Sequence, residues 1–436
     1  MKDFEYGNYL YSLRKEVCLS QEALAKQLGI TNKAISKWEN GDAKPALAQL
    51  VKLADIFGVD LQQLVSKQTE NKKKQIQKIV ITGGPCAGKS TAMTWIQNEF
   101  TKKGWAVLFV PETATELILA GIAPWTMQHT TKFQLCVLKH QKHKEKLFEE
   151  AAHWIADAEK VLIVCDRGTM DGKSYFESES EFYKTLKQLN LKEDSLRDDY
   201  DAVFHLVTAA KGAEEFYTLS NNKARTETIE EAIEKDNSII SSWTGHPHLR
   251  IIDNSTDFKT KMQRLLSEIS LFLGEPEPYE IERKYLIKYP SIKSLENDAN
   301  CTKVEIIQTY LKSEDGVEMR VRQRGQNGSY LYTKTTKKQL SPVKRIEYEE
   351  RISQDEYLNL LMSADTSCKQ IRKTRYCLVY KNQYFEIDIY PFWKDKAIME
   401  IELQTEDQEI SFPPQIEIVK EVTNDKNYSN YALSKI

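Results

Sequence analysis

The run Ile79-Val80-Ile81-Thr82 leads into Gly83-Gly84-Pro85-Cys86-Ala87-Gly88-Lys89-Ser90, and a stretch with helical spacing follows. No other segment limits the fold as much, because the octapeptide works only when a strand delivers it and a helix carries it away. Its glycines let backbone N–H groups turn inward on an anion, and the helix N-terminus adds a favourable dipole field. The pattern therefore predicts a cradle for a nucleoside triphosphate, ATP or GTP, formed by Gly83, Gly84, Pro85, Cys86, Ala87 and Gly88. In it Lys89 reaches the β- and γ-phosphates, Ser90 ligates Mg²⁺ (or Mn²⁺), and Thr91 supports the turn.

The surrounding pattern agrees. Short β-rich runs (IVIT, AVLFV, VLIVC, AVFHLV, LRIID) alternate with helical segments, as in a parallel sheet with helices on both faces. Asp166 closes the run VLIVCD, at a strand's carboxyl edge where a partner for the metal belongs. Glu112 follows AVLFV at an equivalent edge and is a candidate base or substrate contact, or an ordinary loop acid. Arg225, in KARTETIEEAIEKD, is placed to bring a cation onto a transferred phosphate from a lid helix, or lies on the surface. Asn254 and Ser255, after LRIID, are candidates to touch the nucleotide base.

At 436 residues the chain calls for roughly three domains. Three compositional regimes supply them, a helical region at 1–66, the α/β region at 78–273 and a strand-rich region at 274–436 after GEPEPY, with a lysine-rich linker at 67–77 between the first two. A net charge of −3 argues against wholesale coating of nucleic acid. No apolar run approaches the roughly 18 residues of a membrane helix. The N-terminus lacks the basic-then-apolar order of a signal peptide, and seven scattered cysteines without a CxxC pair read as reduced thiols. The expectation is a cytoplasmic protein with no membrane partner.

In the first region Ser20 can cap a helix from Gln21 to Leu28, Gly29 supplies a turn, and Thr31 can cap a second helix. Leu24, Leu28, Ile35 and Trp38 would pack beneath, with Leu47, Leu50, Leu53 and Phe57 completing a five-helix bundle. The second helix then presents Thr31, Asn32, Lys33, Ser36 and Lys37 outward, toward base edges and phosphates, with Gln21 at the first helix's start. The alternative is a bundle whose polar face is merely solvated.

In the last region, period-two spacing sorts charge by sign. It groups Glu280 with Glu282 and Lys284, Arg320 with Arg322, Arg345 with Glu347 and Glu349, Lys373 with Arg375, Glu386 with Asp388, and Glu400 with Glu402. Their neighbours are apolar. An ordinary half-exposed sheet is one reading; the other is a lumen where carboxylates hold metal and cations grip phosphate oxygens.

Each region resembles a known family. SQEALAKQLGITNKAISKWENG resembles the Cro/C1-type helix-turn-helix, which implies DNA binding and a possible homo-oligomer. ITGGPCAGKST, PETATELI, VCDRG and HPHLRIIDNS resemble a P-loop ATPase/kinase family related to ribosylnicotinamide kinases. Glu280-Ile281-Glu282-Arg283-Lys284, with FEIDIY and MEIELQ, resembles the CYTH or triphosphate tunnel metalloenzyme family. That resemblance implies an antiparallel eight-stranded tunnel, with Glu280, Glu282, Glu400 and Glu402 toward metal. Lys284, Arg320, Arg322, Lys334, Arg345, Lys373 and Arg375 would then face phosphate, and the implied substrates are inorganic or organic triphosphates. The P-loop-plus-tunnel pairing also resembles the TRPL translocation defect protein of insects, which implies GTP and phosphoinositide binding; the helix-turn-helix head departs from that pattern.

The functional expectation is a nucleotide-responsive DNA-binding protein with a Mg-dependent P-loop and a triphosphate-hydrolysing tunnel, Lys89, Asp166, Glu112, Arg225, Glu280 and Glu282 carrying the chemistry. Two alternatives stand beside it: a non-catalytic sensor of nucleotide or polyphosphate, and a small-molecule kinase whose tunnel binds its product.

Overall fold

A computed structural model describes residues 4–17, 19–40, 42–61, 64, 74–156, 158–217, 228–275, 281–313, 317–326, 328–341, 344–403 and 408–435, the side chains at 4, 5, 8, 16, 216, 281, 338–341 and 344–348 excepted. The chain divides into two compact units, Met1–Gln75 and Ile76–Ile436. No described helix is long and apolar enough to cross a membrane.

The first unit holds α1 (Phe4–Glu16), α2 (Gln21–Leu28), α3 (Asn32–Glu39) and α4 (Leu47–Phe57); the fifth helix expected there falls largely outside the described residues. Leu24, Leu28, Ile35, Trp38, Leu50, Leu53 and Phe57 share one core. Ser20 caps α2, its Oγ accepting from the Ala23 N–H at 3.0 Å. Gly29 then takes φ 69°, a left-handed turn that glycine adopts without steric cost. Thr31 occupies the cap position of α3, but its side chain makes no capping hydrogen bond.

Beneath the helix pair lies an ion pair with no counterpart in the apolar pattern. Arg14 donates from Nε to Glu39 Oε1 at 2.6 Å and from Nη2 to Oε2 at 2.8 Å, both side chains buried. Gln21 Nε2 joins the same carboxylate at 2.8 Å. Removing one partner would strand a buried charge, so Glu39→Ala is expected to cost the first unit about 3 kcal/mol. Amide hydrogen exchange over α1–α4 in the full chain should quicken accordingly; unchanged protection would show the pair to be dispensable.

The second unit contains two sheets. The five-stranded sheet has order β2-β3-β1-β4-β5, from β1 (Gln75–Gly83), β2 (Ala106–Val110), β3 (Lys160–Asp166), β4 (Ala202–Leu206) and β5 (Leu249–Ile252). Parallel registers join β2 to β3, β1 to β4, and β4 to β5. Alternate residues feed two separate cores, Val80, Ile163 and Val203 on one side, Ile79, Ile81, Leu162 and Phe204 on the other. Among the covering helices are α5 (Lys89–Lys102), α6 (Thr113–Leu119), α7 (Thr130–Trp154), α8 (Ile229–Trp243) and α9 (Phe258–Phe272). β1 starts earlier than its apolar run because Lys78 is buried against Glu149 at 2.5 Å and Asp199 at 3.2 Å, which lets a charged residue enter the sheet.

The antiparallel sheet has order β10-β9-β8-β7-β11-β12-β13-β6-β14. Its strands are β6 (Ile281–Lys288), β7 (Cys301–Leu311), β8 (Val317–Gln326), β9 (Ser329–Ser341), β10 (Lys344–Ile352), β11 (Ile371–Tyr380), β12 (Gln383–Ile389), β13 (Lys396–Leu403) and β14 (Ile418–Glu421). It carries nine described strands, not eight: β14 is a short, bulged addition to the far edge of β6, held by pairing rather than by any pattern of its own. One face is apolar, with Tyr285, Phe385, Ile387, Met399 and Ile401 packed around Leu295, and Leu311 and Val321 around Tyr357. The other face carries the charges.

Candidate functional site

At the carboxyl edge of the parallel sheet, Gly83 at φ 142° and Gly88 at φ 93° bend the loop between β1 and α5. A Cβ on Gly84 would lie 2.7 Å from Asp236 Oδ1, so only glycine fits there. That carboxylate accepts from the Gly84 N–H at 2.8 Å and the Thr208 N–H at 3.2 Å, and meets His205 Nε2 at 3.0 Å. Asp236 and His205 are completely buried. The imidazole and these N–H donors hold the Asp236 carboxyl below its ordinary range despite burial.

Lys89 folds back on its own loop, donating to Gly83 O at 3.1 Å and Gly84 O at 3.3 Å. Burial, reinforced by the Arg167 guanidinium, lowers its ammonium pKa to about 8. Asp166 ends β3 beside it; burial raises that carboxyl, and its Oδ1 is a buried oxygen with no hydrogen-bond partner. An unsatisfied hard donor next to the loop lysine fits a Mg²⁺ ion. Ser90, exposed at the first turn of α5, supplies a hydroxyl in the same region. Glu112 precedes α6 and is held below its usual range, against the effect of burial, by Arg167 Nε at 2.5 Å and the Thr115 hydroxyl at 2.6 Å.

Asn254 does not face outward as a base contact would. Its amide holds Thr208 O at 2.7 Å and Lys211 O at 2.9 Å, while its oxygen accepts from Lys261 at 2.6 Å. Ser255 turns onto Asp253, 2.6 Å from its Oδ1. Arg225 lies outside the described residues. Sequence reasoning passed over Arg167, Asp171, His205 and Asp236. Arg167 has a left-handed φ of 67°, and Asp171 anchors the turn after it by accepting from the Gly168 N–H at 2.7 Å and from the Thr82 hydroxyl. Asp236 sat in plain view at the end of the stretch read as a lid, but nothing local marks a carboxylate that reaches another loop.

On the antiparallel sheet, cross-strand registers bring the charges together. Glu400 lies opposite both Glu386 and Lys284, Glu402 opposite Glu282, and Arg375 opposite Asp388. Arg375 reaches Asp388 at 2.7 Å through two nitrogens, Glu400 at 3.0 Å, and Glu386. Lys373 pairs with Asp388, and Lys284 with Glu400 at 2.8 Å and Glu282 at 3.5 Å. Burial and the Arg375 guanidinium bring the Lys373 ammonium down to about 8. Arg320 and Arg322 lie on the same side, opposite Thr335 and Thr333, with Arg322 3.7 Å from Glu349.

Lys334 is a correction. It pairs in register with Val321 and Glu350, on the opposite face from Arg320 and Arg322, and its ammonium lies 3.5 Å from Glu350. The side chain of Arg345 and the whole of Glu280 lie outside the described residues. Among the described residues no three His, Cys, Asp or Glu side chains are grouped to hold a metal. The donor chemistry of Glu282, Glu400 and Glu402 suits a hard divalent ion, yet each is drawn toward a cation of the protein.

On the head, Thr31, Asn32, Lys33 and Lys37 are exposed along α3, and Ser36 is half-buried with its Oγ 3.3 Å from Asn40 Nδ2. Gln21 is drawn inward to Glu39, which takes its amide out of the outward-facing set.

The described chain thus comprises a helix-turn-helix, a P-loop α/β module and, after it, a charged antiparallel sheet. Family models match in the same order: helix-turn-helix at residues 10–64, AAA domain at 78–261 and CYTH domain at 278–426. An inorganic triphosphatase of Nitrosomonas europaea is 33% identical over 159 residues, covering 36% of this chain and 96% of that protein. The HTH-type transcriptional activator BcrR of Enterococcus faecalis is 36% identical over 82 residues, 17% of this chain and 40% of that protein. A crystal structure of an inorganic triphosphatase is 30% identical, covers 36% of this chain and 95% of its own, and gives a TM-score of 0.27. Through its last module the chain belongs to the CYTH family of the Nitrosomonas triphosphatase.

The state of Lys89 gives a test with a defined sign. Its proton is held weakly because burial and Arg167 oppose the charge, and a bound polyphosphate would restore it. Near and above pH 8 nucleotide binding should therefore take up part of a proton, and affinity should fall as pH rises above about 8. Calorimetry in buffers of different ionisation enthalpy measures both; affinity independent of pH across that value would contradict the assignment.

Proposed function

We propose that the protein is a nucleotide-responsive DNA-binding regulator whose P-loop module binds ATP or GTP with Mg²⁺ and whose tunnel hydrolyses triphosphates. The observation that carries the tunnel reading is the single-face cluster of Arg375, Lys373 and Lys284 with Glu386, Asp388 and Glu400. Positive groups there can absorb the charge that develops on a transferred phosphoryl group. Carboxylates beside them can hold a divalent ion that supplies Lewis acidity and an activated water. Glu282, Glu400 and Glu402 would hold it, together with Glu280 by the sequence motif. The similarity to an inorganic triphosphatase supports the same substrate class.

In the P-loop module, Ser90 and Asp166 would hold Mg²⁺, Lys89 would neutralise the outer phosphates, and Arg167 would keep Glu112 ionised nearby. The sensor reading, binding without turnover, is favoured by one feature: Lys89 and Arg375 are already satisfied by protein oxygens, so ligand exchange alone can change the state of either site.

Turnover separates the readings. Full-length protein with Mg²⁺ or Mn²⁺ is offered tripolyphosphate, ATP and GTP. Glu282→Ala/Glu400→Gln should lower tripolyphosphate hydrolysis on the order of a hundredfold, while Lys89→Ala leaves it near wild type and loses nucleotide binding. Phosphate release unaffected by either variant would leave only the sensor. For the head, Lys33→Ala/Lys37→Ala should weaken operator binding and reduce the salt slope by about one per lysine; an unchanged slope would assign α3 to another role.

A further inference from the structure

The charged face of the antiparallel sheet is completed by residues from the P-loop module. β5, the edge strand of the parallel sheet, packs against β12. At its start, Arg250 crosses to Glu402 on β13 while remaining 3.5 Å from the buried Glu268 of its own module. His248, two residues earlier, lies under the influence of Glu349, Arg324 and Arg322 on the facing wall. The segment Gly245–Arg250 thus touches both walls of the charged face, at Arg324 and at Glu402.

Close packing joins the two modules beside it. Arg324 donates to Gly245 O, and Tyr384 Oη donates to His246 O at 2.9 Å. Gly245 sits at φ 100°, where a Cβ would lie 2.7 Å from Thr302 Cγ2 and 2.9 Å from Arg197 Nη1. Val379 and Tyr384 continue into the apolar core of the P-loop module. Glu402 itself stays partly open to solvent, so the Arg250 side of the charged face is accessible to a ligand lying along it. The need for a cation there is plain. Glu402 stands in register with Glu282, close to Glu386 and Glu268, and Arg250 is the group that most strongly offsets their repulsion.

We infer that the tunnel's phosphate site is composite, and that Arg250, supplied by the P-loop module, is a specificity-determining cation for the terminal phosphate of a short linear triphosphate. This rests on the triphosphate reading of the tunnel and adds to it the residue that measures chain length. Glu402 lies two residues beyond Glu400 on β13, so a triphosphate held on Arg375 and Lys284 extends to Arg250, whereas a diphosphate held there forgoes that contact.

The test uses the full chain and two probes, tripolyphosphate and pyrophosphate, with binding measured by calorimetry in EDTA and hydrolysis measured with Mg²⁺. Arg250→Ala should weaken tripolyphosphate binding and raise its KM on the order of tenfold, the worth of one charge-assisted contact, with pyrophosphate binding nearly unchanged. Arg250→Lys should recover part of the loss and guards against misfolding of the alanine variant. Equal weakening of both probes would mean a merely structural role, and unchanged tripolyphosphate affinity would remove Arg250 from the site; either overturns the inference. A wild-type protein that binds tripolyphosphate without cleaving it would defeat the hydrolase reading alone, since the comparison of affinities still decides the role of Arg250.

Discussion

The guanidinium of Arg375 sits among the carboxylates of Asp388, Glu386 and Glu400 with almost no access to water. Burying such a group is costly unless every charge finds a partner, and that requirement organises the antiparallel module. The sheet turns its apolar face outward, beneath helices such as Gln354–Leu361, and encloses the polar face. A polyanion that takes Arg375 would leave Glu386 without that cation and Asp388 and Glu400 with only Lys373 and Lys284, an excess of negative charge that a hard divalent ion would offset. In the proposed reading, electroneutrality would link phosphate and metal in one site.

The same economy of charge runs through the P-loop module, where the partners come from other strands and helices. Asp236 on α8 holds the Gly84 N–H, and His205 on β4 holds Asp236. Arg167 after β3 holds Glu112 before α6. A nucleotide entering the cradle would compete with Gly83 O and Gly84 O for Lys89, so the loop carries internal substitutes for its ligand. α8 also leads, through Trp243, into the Gly245–His246 turn that Arg324 and Tyr384 grip. The helix that fixes the P-loop therefore ends at the wall of the tunnel.

Much of this was legible beforehand. Each short β-rich run of the middle region became a parallel strand, because a buried strand must be apolar on both faces and leaves a continuous signature. The Ser20 cap, the Gly29 turn and the exposed face of α3 followed from local chemistry alone. Period-two sorting placed Arg320 with Arg322 and Lys373 with Arg375. It misplaced Lys334, whose side is set by its register against Val321 and not by its own neighbours. Gln21 was misread because its partner, Glu39, lies a whole helix away. Asn254 looked like a ligand contact and proved to be a loop brace, since its amide and oxygen are both consumed by backbone and Lys261.

By itself the sequence determined the elements and the chemistry available to them: a glycine cradle, a capped helix pair, strands with charge on alternate residues. These depend on dihedral preference and short-range spacing, which act over a few residues and leave local marks. Tertiary structure decided which charges meet. Arg14 with Glu39, Asp236 with Gly84 and Arg250 with Glu402 are separated by tens to more than a hundred residues. Electrostatic attraction depends on distance in space and is indifferent to distance along the chain. Only the folded arrangement of β5 against the antiparallel sheet could show that one module supplies a cation to the other.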